Sequence, residues 1–277
     1  MFRQILILLL AALSFSAAQS SYDILNTPTD SRDAALGLSL NPIVKPTRIL
    51  THPDHSVTLA VWNWVADVQG AYMGIDLSQA HFSVQTMRSG ELEMRGEIPT
   101  EDPISTFEYT LFNGGGAYAR KFNDFTVGLG VELIYERSLN TSATGLAFNL
   151  AGAYPLNEQL LLSGGLRHFG VSGKLDEEST TLPSEVWGAA DIQVGPATIL
   201  TEINTGSFPL AAGFAYPLLE SFELLGGLQL EMAEPSSKIH PSLGFASTWT
   251  TFTLSYSIYQ IDHALGFRHF VTLYWSY

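Results

Sequence analysis

The sequence predicts an all-β fold: a transmembrane antiparallel β-barrel of about fourteen strands, preceded by a short N-terminal plug or periplasmic arm. Three observations carry this expectation. Apolar and polar residues alternate with period two from about residue 55 onward. Many of the alternating runs exceed the ~5–6 residues usual in a soluble strand and match the ~9–11 that a tilted strand needs to cross a bilayer. The gaps between runs are short and long in turn, as in a barrel with tight turns at one end and loops at the other.

The first segment, "MFRQILILLLAALSFSAA", has one positive charge (Arg3), an apolar run from Ile5 to Leu13, and small residues at Ser16 and Ala18. It reads as a signal peptide over 1–18, cut after Ala18 or just beyond, so that Gln19 or Ser20 starts the mature chain. The apolar run is too short for a membrane anchor. No Cys follows it, which excludes a lipoprotein signal, and the chain has none anywhere, which excludes disulfides.

Residues 19–54 contain Pro28, Pro42, Pro46 and Pro53 and no sustained alternation. They are expected to form no strand and to sit in the lumen or at the periplasmic mouth.

The barrel is expected over 55–277. Its clearest strand is "FTVGLGVELIYE" (125–136). Phe125, Val127, Leu129, Val131, Leu133 and Tyr135 share one face, and Thr126, Gly128, Gly130, Glu132, Ile134 and Glu136 the other. The fourteen runs lie at about 55–64, 67–77, 79–97, 104–122, 125–137, 142–154, 158–169, 183–194, 196–204, 207–217, 221–231, 238–248, 250–260 and 265–277. The even-numbered gaps are tiny, such as "ND" (123–124) and "GP" (195–196); odd-numbered ones include "IPTEDP" (98–103) and "SGKLDEESTTLP" (172–183). With an even strand count both termini share the short-turn side, the periplasm of an exported chain. The last run, "HFVTLYWSY", must then be a full membrane strand that pairs with the first, since lipid tolerates no open edge. Its aromatic end suits the interfacial girdle and the signal read by barrel-assembly machinery.

The formal charge is −14, from 27 acidic and 13 basic residues. This argues against nucleic acid as a partner and against docking on anionic lipid. The most helix-like apolar stretch, 208–230, is broken by Pro209, Pro217, Glu220 and Glu223 and reads as two strands.

Five segments carry a family resemblance: "YDILNTPTDSRDAALG" (22–37), "WNWVADVQGAYM" (62–73), "GGGAYARKFNDFTVGLGVELIYE" (114–136), "FNLAGAYPLNEQLLLSGGLRHFG" (148–170) and "GKLDEESTTLP" (173–183). In order and spacing the chain resembles the PorV/PorQ family of outer-membrane proteins, with FadL-like barrels. It departs where the family has an "NPAGL" motif: only Asn41-Pro42 is present. The resemblance implies outer-membrane location, no enzymatic activity, and either passive transport of hydrophobic or small solutes or support of type IX secretion with a periplasmic or surface partner.

Alternation places Glu132, Glu136, Arg167, Asp191, Glu202, Glu223 and Glu231 on the lumen face. Two readings follow: an acidic, cation-favouring lumen, or structural ion pairs around Arg167. Gly114, Gly115 and Gly116 are expected to kink the fourth strand and shift its parity. "HPDH" (52–55) and the acidic triplet 176–178 lack metal-ligand spacing and read as a turn and a loop tip, so no metal or cofactor is expected. No catalytic motif is present. The competing class is a secreted soluble β-sandwich that acts as a binding module.

Overall fold

The computed structural model describes residues 23–51, 55–63, 67–95, 102–139, 141–175, 178–179, 181–233, 236–262 and 266–277. The expected signal peptide, residues 52–54 of "HPDH", and Asp176 and Glu177 lie outside these.

Fourteen strands close into one antiparallel barrel. They are β1 (His55–Asn63), β2 (Gln69–Leu77), β3 (Ala80–Arg88), β4 (Tyr109–Phe122), β5 (Phe125–Ser138), β6 (Thr141–Asn157), β7 (Leu160–Ser172), β8 (Glu185–Val194), β9 (Ala197–Asn204), β10 (Leu210–Leu219), β11 (Phe222–Ala233), β12 (Ser236–Trp249), β13 (Phe252–Asp262) and β14 (Gly266–Ser276). Each pairs with its neighbours in sequence, and β14 closes on β1 with Ser56 opposite Ser276 and Asn63 opposite His269. This is one closed sheet rather than the two packed sheets of a sandwich.

Period two sorts most of the strands. On β5, Leu129, Leu133 and Tyr135 are exposed on the outer face, whereas Glu132, Ile134 and Glu136 are buried inside. On β14, Phe267, Val271, Leu273 and Trp275 point outward. The outer face is thus a continuous apolar belt. At the short-turn end it carries aromatics: Trp275 lies 5.9 Å from Phe252 and 5.1 Å from Tyr277, and Phe222 stacks on Phe245 at 5.7 Å. Those aromatics fit an interfacial girdle. Asn123 and Gly195 take positive φ (54° and 60°), as the first residues of two-residue hairpin turns do.

Two expectations are corrected. The third strand stops at Arg88, not near 97; the chain then leaves the wall, and Leu92–Met94 pairs with Ser105–Phe107 as a hairpin of its own. The parity shift at Gly114–Gly116 does not occur. These glycines pair in unbroken register with Ser83 and its neighbours on β3 and with Glu132 and its neighbours on β5. They serve close packing: a Cβ on Gly116 would stand 3.0 Å from the Phe82 ring, and Gly115 has the Val131 carbonyl against it. Leu111 keeps regular parity and faces inward because it packs on Ile24 and Leu25 of the N-terminal segment.

A register shift falls instead between β6 and β7, where Phe148 opposes Phe169 but Leu150 opposes Leu166. His168 takes φ 56° there. The extra residue turns Arg167 and His168, though adjacent, both into the interior.

Candidate functional site

Residues 23–51 lie inside the barrel and plug its lumen. The segment comprises two 3-10 turns (Asp23–Asn26 and Pro46–Thr51) around one short helix, α1 (Ser31–Leu36). Asp30 caps α1, accepting from the backbone N–H of Arg32 (2.8 Å) and Asp33 (2.9 Å). Gly37, at φ 62°, ends it in the left-handed conformation that glycine adopts without steric cost. Asp33 ties the segment to itself, accepting from Thr29 Oγ1 at 2.7 Å and Leu40 N at 2.9 Å. Burial, with Asp30 nearby, pushes its carboxyl up to about 8.

The plug seats against small wall residues. At Gly213 and Gly227 the inner wall comes so near Leu36 that a Cβ would collide with its backbone. Ser31 Oγ meets Ser255 Oγ at 2.9 Å, Ser31 N donates to Thr272 Oγ1 at 2.9 Å, and Ser242 Oγ donates to Ala35 O at 2.8 Å. Phe270 and Trp62 stack at 5.7 Å beside Tyr72, Tyr259 and Ala34 of α1. The plug therefore explains why Phe270 interrupts the polar parity of the last strand.

Ion pairs join plug to wall: Arg32–Glu223, Lys45–Glu202 and Arg48–Asp191, the last at 2.8 Å between Nη2 and Oδ1. Lys45 is fully buried and lies 5.0 Å above the Trp187 ring. Burial pulls its ammonium below the usual lysine range, against the pull of Glu202. Arg167 joins Glu202 (2.9 Å) to Glu185. Of the seven charges placed on the inner parity, Arg167 and Glu202 are in direct contact. Glu132 sits apart, accepting from Asn113 (2.7 Å) and Asn149 (2.6 Å) beside His168. Glu136 accepts from Tyr109, and Glu231 meets His240 at 2.8 Å. Sequence reasoning missed Lys45, Arg32 and Arg48 as partners of wall carboxylates. Their one signal was cationic side chains in a segment expected inside an acidic lumen.

Free space is unequal on the two sides of the plug. Toward the short turns lies an open vestibule of about 930 Å³. Toward the loops, among the described residues, a smaller pocket of about 50 Å³ lies around Leu25, Arg167 and Glu185. There Ile24 and Leu25 pack on Met87, Leu111 and Ile134. On the vestibule wall His81 Nδ1 meets Asp76 Oδ1 at 2.7 Å, His81 Nε2 meets Tyr72 OH at 3.2 Å, and Ser56 donates to Asp76 at 2.7 Å. Among the described residues no group of three or more His, Asp or Glu is arranged to hold a metal.

The architecture is that of known outer-membrane channels. The chain aligns with the CymD monoaromatic hydrocarbon channel at TM-score 0.64 and 7% identity, covering 93% of this chain and 99% of that one. With the Ralstonia pickettii toluene transporter TbuX the values are 0.61, 9%, 90% and 98%. With a Pseudomonas aeruginosa FadL homologue they are 0.55, 8%, 90% and 98%. At such identities the likeness is one of fold: a FadL-like barrel. No protein-family model matches the sequence, and no curated protein does.

Proposed function

We propose that the protein is an outer-membrane conduit for passive passage of hydrophobic or small solutes, with residues 23–51 as the plug that closes it. One observation carries this reading. The plug forms no strand of the wall and is fastened to it by side chains and van der Waals contact, so it is an occluding element separable from the barrel. Fourteen strands enclose room for a channel once such an element shifts. The channels with this fold named above support the reading. Barrel-assembly machinery and outer-membrane lipid are the partners such a barrel would need.

Planar-bilayer recording of the purified full chain tests it. Discrete conductance steps are expected, larger or more frequent when the plug is loosened by Glu202→Gln. Silence in both proteins, with a periplasmic partner retained through purification, would overturn the conduit. That outcome would favour the secretion-support role implied by the PorV/PorQ resemblance.

A further inference from the structure

The vestibule is a cavity of ligand size, about 930 Å³, walled by barrel strands and floored by the plug. Its lining is unbalanced in charge. Four aspartates and three glutamates line it, against two arginines and no lysine. Asp33, raised to about 8, is neutral near pH 7, which leaves six carboxylates against two guanidiniums. Both guanidiniums already face a carboxylate: Arg48 holds Asp191, and Arg32 holds Glu223. An anion entering the vestibule would have to displace a resident carboxylate from one of them. An entering cation displaces neither pair, and a low-dielectric cup open at one end concentrates the field of its carboxylates.

The rest of the wall fits an organic cation better than a hydrated metal ion. Apolar Leu40, Leu160 and Pro217 line it together with Tyr72 and Tyr274, and Thr58 and Thr272 stand between the two tyrosines on β1 and β14. The apolar side chains suit the body of such a cation, and the hydroxyls offer acceptors for its N–H donors. Asp30 stands at the plug side of the same wall.

We infer that the vestibule binds small organic cations, a primary ammonium on a compact apolar or aromatic body, between Asp30 of the plug and the Tyr72–Tyr274 wall. This deepens the conduit reading by naming a solute class, and its test does not depend on conduction. Three probes of matched shape separate charge from hydrophobicity: benzylamine, benzyl alcohol and benzoate. Each is titrated calorimetrically into the full chain in detergent at pH 7, with empty micelles as blank. Benzylammonium is expected to bind, more weakly as salt is raised, and benzoate not at all. Asp30→Asn keeps a helix-capping side chain, so α1 should stay intact. It is expected to weaken benzylammonium about tenfold, the value of one charge-assisted hydrogen bond. Glu158→Gln with Glu220→Gln, on exposed turns at the rim, is expected to weaken it about twofold through the longer-range field. The inference is overturned if benzyl alcohol or benzoate binds as well as benzylammonium, if none binds above the blank, or if both variants bind like the parent. Binding by a protein that never conducts would uphold this inference and sink the conduit.

Discussion

Lys45 of the plug and Glu202 of β9 form a buried ion pair inside the barrel, 157 residues apart in sequence. Arg167 holds the same Glu202 from the wall. The arrangement is asymmetric. Remove Lys45 and Glu202 still has a cation; remove the Glu202 charge and Lys45 is left buried with Arg167 and Arg48 as its charged neighbours. Breaking a buried pair so as to strand a charge costs ~3–5 kcal/mol, whereas an apolar replacement of similar size is often neutral. Glu202→Gln is therefore expected to unseat the plug and Lys45→Met to leave it seated. Protease sensitivity of residues 23–51 in the folded barrel distinguishes the two.

Asp33 makes the plug sensitive to alkali. Its carboxyl is raised from 3.8 to about 8, chiefly by burial. The folded plug thus holds a proton that the unfolded chain releases near pH 4. Stability from this group is complete below 3.8 and is lost as pH rises through about 8, on the order of several kcal/mol. Hydrogen exchange of plug amides, corrected for intrinsic rate, should accelerate between pH 7 and pH 9. Asp33→Asn mimics the protonated form and should flatten that dependence; an unchanged profile would show that another group sets it.

The barrel wall was legible in the sequence because a membrane imposes period two on every strand. Val127 to Tyr135 and Phe267 to Tyr277 announce their outer faces without help from anything distant. The lumen was not legible to the same depth. Lys45–Glu202 and Arg48–Asp191 join residues more than a hundred positions apart, and no local pattern encodes them. Phe270 is an aromatic on the polar parity of the last strand because its partner, Ala34, lies in a segment without alternation. The bulge at His168 left only a Leu-Arg-His-Phe run that fits either parity. The triple glycine misled in the opposite direction: Gly in a strand signals close approach as readily as a kink, and here Phe82 and Val131 supply the approach.

The seat of the plug depends on absent side chains. A Cβ on Gly227 would collide with the Leu36 carbonyl group and crowd Gly37 N. Gly227→Val suits a strand and leaves the outer face untouched, so the barrel should still form and keep its heat-modifiable gel mobility. The plug cannot then dock in its present position. Conductance should rise above that of the parent, and residues 23–51 should become cleavable. A variant that loses the barrel instead would show that the plug is needed for assembly.

The two faces of one strand should answer differently to the same charge. Leu133 of β5 is 63% exposed on the apolar belt, while its neighbour Glu132 is fully buried inside and bonded to Asn113 and Asn149. An arginine on the lipid face near mid-bilayer costs ~2–4 kcal/mol, because the guanidinium must be desolvated or drag water and headgroups inward. Leu133→Arg should lower the stability of the barrel refolded into vesicles by about that amount, and by much less in detergent micelles, where water is close at hand. Glu132→Gln removes a charge from the interior but keeps an acceptor for one asparagine. Its cost is set by protein contacts, so it should be similar in vesicles and micelles. Urea titrations in both media measure the contrast. Equal penalties for Leu133→Arg in lipid and detergent would mean that this face does not meet the bilayer, and the membrane reading of the whole outer parity would fall with it.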